Sequence, residues 1–110
     1  MIGAWTWFYS QFRSDDDWLA ILLSNDNGTT WVPVDTLRGI RNHWQEQAIR
    51  VADFVTPSAQ VRLRFQAADF GTGSVVEAAV DDVVLYDAAL AQPLAVEPAT
   101  GVPVAFRRVW

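Results

Sequence analysis

Acidic side chains are the first candidates for chemistry in this chain. Residues 15–17 are three consecutive aspartates before an apolar run, and Glu77, Asp81 and Asp82 lie within a long Val-rich run. Glu77 and Asp81 would lie about 13 Å apart along one strand, whereas the paired carboxylates of a glycosidase lie roughly 5 to 9.5 Å apart. The spacing disfavours a glycosidase, and we predict that the chain is not an enzyme.

A calcium site is a second interpretation of the same acids. In a regular strand Asp82 would share a face with valines, an alanine and a tyrosine, where a carboxylate is costly unless it is paired or metal-bound. Ca²⁺ takes about six to eight oxygen ligands and tolerates irregular loops. One structural Ca²⁺ held by Glu77, Asp81 and Asp82 is therefore one prediction. Pairing of Asp82 with an arginine, or capping of a loop, is the alternative.

Other reactive residues are scarce. His43 is the only histidine, the chain has no cysteine, and no Gly-x-Ser-x-Gly or phosphate-binding glycine motif is present. The net charge is −5 and all eight basic residues are arginines. An acidic chain lacks the basic surface that neutralises phosphates, so we expect no nucleic-acid partner. No apolar run is long enough for a membrane-spanning helix.

The most specific motif is a turn. Ser24, Asp26, Gly28, Thr30 and Trp31 match the spacing of an Asp box, Ser-x-Asp-x-Gly-x-Thr-Trp. In such a turn the aspartate accepts backbone N–H bonds, and the Asn-Gly pair takes positive φ values. Asp boxes have a structural role in many unrelated β proteins, so we predict that these five residues stabilise a hairpin.

Aromatic residues offer a binding surface. Trp5, Trp7 and Tyr9 share one face of a strand with period two. As an exposed platform these rings would stack on sugars. As inner residues they would fill the core, and this interpretation is favoured because large aromatics are highly buried on average.

Strand-like runs set the fold class. They cover residues 5–12, 17–24, 30–34, 61–67 and 75–87, and residues 41–53 suit a strand at least as well as a helix. Turn signals at Asn-Gly, Thr-Pro-Ser and Gly-Thr-Gly-Ser separate the runs. We predict one all-β domain over residues 1–88, an antiparallel β-sandwich. Residues 89–110, with three prolines, would be a Pro-rich linker or an additional edge strand.

Two segments carry a family resemblance. LSNDNGTTWV at residues 23–32 and VRLRFQAADFGTGSVVEAAVDDVVLYD at residues 61–87 resemble the C-terminal part of MAM-like and galactose-binding-like jelly-roll domains of secreted bacterial hydrolases. The resemblance implies a jelly roll and a non-catalytic accessory module that binds or adheres to polysaccharide or protein. It also implies one structural Ca²⁺, with Asp81 or Asp82 among its ligands.

The resemblance also implies that the jelly roll lacks its first strands. An unpaired sheet edge would remain, so we expect a homo-oligomer formed through exposed edges, or a substitute strand from residues 102–109. The alternative function is then structural, as a self-associating module that stabilises a parent protein. The chain shows no signal peptide, and the resemblance implies an extracellular or cell-surface location in bacteria, with the signal on a longer parent chain.

Overall fold

Strands make up almost all regular structure in the residues that the computed structural model describes, which are 1–11, 16–87 and 92–93. One short 3₁₀ turn, Val51–Asp53, follows the fourth strand. The strands are β1 Ile2–Ser10, β2 Trp18–Ser24, β3 Val32–Arg38, β4 Ile40–Ile49, β5 Arg62–Ala68, β6 Val76–Asp87 and β7 Gln92–Pro93.

The strands form two antiparallel sheets packed as a β-sandwich, which confirms the predicted fold class. One sheet has the order β4-β1-β6-β7 and the other β3-β2-β5. Only the β2–β3 connection stays within a sheet, and every other connection between β1 and β6 passes to the opposite sheet. This alternation is typical of a jelly roll, which has two sheets built from about eight strands.

The core lies between β1 and β2. Phe8 of β1 is 1% exposed, and Leu19, Ile21 and Leu23 of β2 are at most 2% exposed. β2 is the central strand of its sheet, as its continuous apolar run predicts. Val61 directly before β5, and Leu63 and Phe65 on it, pack against this core, while the intervening arginines are exposed. Burying each large apolar side chain contributes about 1.5–3 kcal/mol.

Residues 40–49 form a strand, so the helical alternative for this segment is wrong. The strand pairs with β1 from Ile2↔Ile49 to Tyr9↔Ile40. Asn42 has a φ of 37° and lies where the register shifts between Trp7 and Tyr9. In the second half of this strand Trp44, Glu46 and Ala48 are exposed, whereas Gln47 and Ile49 are buried, as the period of two requires.

A cleft opens between the two sheets on the side where β5 is the edge strand of one sheet and β6 is the last long strand of the other. Its volume is about 780 Å³, and its walls include Val61, Leu63, Val83 and Leu85. Within the described part of the chain, the only strand beyond β6 is the two-residue β7, which pairs with Tyr86 and Asp87. The interpretation of 89–110 as a linker or edge strand, and the substitute strand at 102–109, fall almost entirely outside the described residues.

Candidate functional site

The first strand turns its aromatic side chains away from the core. Ala4, Thr6, Phe8 and Ser10 of β1 are buried at 2% exposure or less. The alternate positions face outward, where Trp5 is 38% exposed and the other two rings are half-buried. The interpretation of Trp5, Trp7 and Tyr9 as core residues is therefore wrong, because the space between the sheets is filled by Phe8 and the leucines of β2.

A fourth aromatic residue joins this surface. Trp44 of β4 is the cross-strand partner of Trp7, and its side chain is 47% exposed. The Trp7 and Tyr9 rings stack, with centroids 6.2 Å apart and planes 27° from parallel. We call Trp5, Trp7, Tyr9 and Trp44 the aromatic face. Sequence reasoning missed Trp44 because its segment could be either a strand or a helix. In a strand, the period of two places Trp44 and Glu46 on one face and Gln45 and Gln47 on the other, and this was the available signal.

Three carboxylates flank the aromatic face in register. Glu46 of β4 and Asp81 of β6 are the two partners of Trp5, one on each side. Glu77 of β6 is the partner of Tyr9. Side chains of directly opposed residues point to the same side of a sheet. Two of the acids predicted to bind metal therefore border the aromatic rings.

A β-bulge determines the position of the third predicted metal ligand. Asp82 has a φ of 49°, and the register between β1 and β6 shifts at this point. Beyond the shift Val83 packs against the core, whereas Val84 is the partner of outward-facing Gly3. The premise that Asp82 lies on one continuous apolar face is therefore wrong, because a bulge exchanges the two faces of a strand.

The acids of β6 do not converge on one point. Glu77 and Asp81 pair with Tyr9 and Trp5, four residues apart along β1. The Asp81 carboxylate accepts a hydrogen bond from the backbone N–H of Asp82 at 2.7 Å. Among the described residues no three His, Asp or Glu side chains form a group able to hold a metal ion. The calcium ion stays a prediction, and we derive no chemistry from it.

The last of the three consecutive aspartates, Asp17, is a buried carboxylate that anchors one end of the sandwich. Asp17 is fully buried and accepts hydrogen bonds from the backbone N–H groups of Gly71 at 2.8 Å and Phe70 at 2.9 Å. The Ser10 hydroxyl donates to it at 3.0 Å. These donors, the Gly71 N–H first, lower the pKa of Asp17 against the opposing effect of burial. Asp17 thus ties β1 to the loop before β6.

The polar side chains of the 24–31 turn form hydrogen bonds with other groups of the same turn. The Ser24 hydroxyl donates to Asp26 Oδ1 at 2.7 Å and accepts from the Gly28 N–H at 2.8 Å. Asp26 also accepts from the Thr30 hydroxyl at 2.5 Å and the Thr30 N–H at 2.8 Å. The Thr30 hydroxyl and N–H, then Ser24, lower the pKa of Asp26 to about 2. Asn27 has a φ of 61° and Gly28 one of 87°, as an Asn-Gly hairpin requires.

Trp31 closes the turn from the opposite side. Its indole N–H donates to the Gly28 carbonyl at 3.1 Å, and the Arg64 guanidinium lies 3.8 Å from the centroid of its ring. Arg62 and Arg64 belong to the outer surface of the other sheet, remote from the aromatic face. These contacts hold the hairpin, whereas its assignment as an Asp box stays a prediction.

No protein-family model, curated protein or solved structure matches this chain. The described residues contain no helix with the length and apolar character needed to cross a membrane. The outward aromatic face with its three flanking carboxylates is the most prominent exposed feature that could bind a ligand.

Proposed function

We propose that this domain is a non-catalytic accessory module that binds polysaccharide through its aromatic face. The observation that carries the proposal is the outward orientation of Trp5, Trp7 and Tyr9, with Trp44 beside them on β4. An apolar surface bordered by polar groups, exposed on a folded domain, marks a binding site more often than chance.

The chemistry of the face suits sugars. The C–H faces of pyranose rings stack on flat aromatic side chains, and carboxylates accept hydrogen bonds from sugar hydroxyls. Trp5, Trp7 and Tyr9 follow each other at about 6.6 Å along β1, because alternate residues of a strand are two rises apart. A row of rings with this spacing supports an extended glycan chain, and Glu46, Asp81 and Glu77 flank the row.

Glycan binding by tryptophan variants tests this proposal. Wild type, Trp7→Ala and Trp44→Ala would be run through native gels containing soluble polysaccharides and incubated with insoluble ones, followed by calorimetry on any oligosaccharide that binds. We expect either substitution to weaken binding at least tenfold, about 1.4 kcal/mol.

Phe70→Ala is the matched control, because the Phe70 side chain is 75% exposed in the loop that follows β5, in the other sheet. Its affinity should equal that of wild type. Equal loss of binding in the control and the tryptophan variants, or no binding to any glycan, would overturn the proposal.

Self-association is a second candidate, and it rests on the cleft between β5 and β6. Val80 of β6 faces inward opposite buried Thr6, yet it is 37% exposed. Val61, Leu63, Val83 and Leu85 extend this open apolar edge. A strand edge backed by apolar surface favours pairing with a second copy.

Light scattering over a concentration series separates the two candidates. If the open edge is a homodimer interface, wild type is a dimer, Val80→Lys is a monomer, and Trp44→Ala remains a dimer. A wild-type monomer at all concentrations would exclude this candidate and leave the glycan proposal intact.

The expected setting follows the resemblance stated above. A MAM-like or galactose-binding-like accessory domain of an exported bacterial protein would meet polysaccharides outside the cell. This setting is supported by the β-sandwich fold and by the sequence segments at 23–32 and 61–87. Secretion of the parent protein and cell fractionation would test it.

A further inference from the structure

The charged residues around the aromatic face indicate which charge a bound polysaccharide would carry, an inference that rests on the proposed function. We propose that the face selects glycans that carry free amino groups, such as polymers of glucosamine, over neutral and anionic glycans. The charged residues in direct cross-strand register with Trp5, Trp7 and Tyr9 are Glu46 and Asp81 at Trp5 and Glu77 at Tyr9, and all are acidic.

Within the described part of the chain, none of these acids forms an ion pair. The ion pair found there joins Arg50 and Asp53, next to the 3₁₀ turn. Glu46 and Glu77 are exposed and form no ion pair with a described residue. Arg62 and Arg64 lie on the other sheet, where Arg64 stacks on Trp31. Among the described residues, no basic side chain therefore holds the carboxylates of the aromatic face.

The position of the acids matches an ammonium group on a stacked sugar. Neighbouring strands lie about 4.8 Å apart, so Glu46 and Asp81 bracket Trp5 from strands about 9.6 Å apart. A pyranose seated on Trp5 would project its ring substituents toward one carboxylate or the other. An ammonium group in this place would also be attracted by the indole ring, whereas a sugar carboxylate would be repelled.

A matched pair of ligands tests the selection. Calorimetry at about pH 6 and low salt would compare the glucosamine hexamer with the N-acetylglucosamine hexamer, which has the same backbone without the charge. We expect the amine to bind about five- to tenfold tighter, since each exposed ion pair contributes about two- to fivefold. The preference should shrink at high salt, which screens exposed charges.

Isosteric variants assign the preference to the acids. Glu46→Gln combined with Glu77→Gln should weaken the amine hexamer more than the acetylated one, and so bring the two hexamers to within about twofold of each other. Asp35→Asn is the control, because Asp35 is exposed on β3 in the other sheet. It should keep the full preference. Trp7→Ala should lose both ligands.

The outcomes separate this inference from the proposed function. Equal affinity of wild type for the two hexamers, or tighter binding of polygalacturonate than of either, would overturn the amine selection while the domain remained a glycan-binding module. The same holds if neither hexamer binds but a neutral glycan does. Absence of binding to every glycan would overturn both.

Discussion

Replacing two adjacent aromatic residues of β1 should have very different effects on stability. Phe8 is 1% exposed in the core, and Phe→Ala in a core costs about 3–5 kcal/mol. Trp7 faces outward and chiefly loses its stacking on Tyr9, about 1 kcal/mol. A domain of 110 residues loses about 4 °C of melting temperature per kcal/mol. Phe8→Ala should therefore melt about 12–20 °C lower than wild type, and Trp7→Ala only about 4 °C lower.

Thermal and urea unfolding of the two variants would measure this difference. The urea dependence of the free energy of unfolding should be the same for both, because both expose the same surface when they unfold. A one-residue shift in the register of a strand moves every side chain to the opposite face. A larger loss in Trp7→Ala than in Phe8→Ala would therefore refute the orientation of β1 and, with it, the aromatic face.

Further predictions concern the turn and the buried acid. Gly28→Ala should cost about 1–2 kcal/mol of unfolding free energy, because Gly28 has a φ of 87°. Gly39→Ala, at a φ of 74° with no atom within 4 Å of the added Cβ, should cost less than Gly28→Ala, whose Cβ would lie 3.3 Å from Trp31 Cζ2. Urea titrations would compare the two. Asp26 has a pKa lowered from 3.8 to about 2, so its contribution to stability is present above about pH 4 and is lost as the pH falls to about 2. Melting curves should show a smaller loss over this window for Asp26→Asn than for wild type. The pKa of Asp17 is also lowered, so its ionised carboxylate should stabilise the folded state. Asp17→Asn should therefore melt lower than wild type at neutral pH.

Most strands could be predicted from residue patterns. Residues 61–67 alternate apolar and polar side chains with period two, and Val61, Leu63 and Phe65 pack against the core as this pattern predicts, whereas Ala67 is exposed. The run before the Asn-Gly turn is apolar on both faces, and it forms the central strand β2 Trp18–Ser24. These patterns succeed because a single local rule, burial of one or both faces, determines them.

The candidate site could be predicted only in part, for two physical reasons. Alternation identifies which side chains share a face but not which face is buried, so the sequence alone favours the core over an exposed platform for Trp5, Trp7 and Tyr9. The choice depends on Phe8 packing against β2, a contact between distant segments. The bulge at Asp82 likewise follows from pairing with β1 and not from local sequence.

Indole N–H resonances of the tryptophans test the aromatic face most directly. Titration of the domain with a bound oligosaccharide, followed by nitrogen–proton correlation NMR, should shift the signals of Trp5, Trp7 and Trp44. Those of Trp18 and Trp31, which lie on the other sheet and its hairpin, should stay in place. Movement of the Trp18 or Trp31 signal with those of Trp5, Trp7 and Trp44 unchanged would contradict the assignment of the binding surface to β1 and β4.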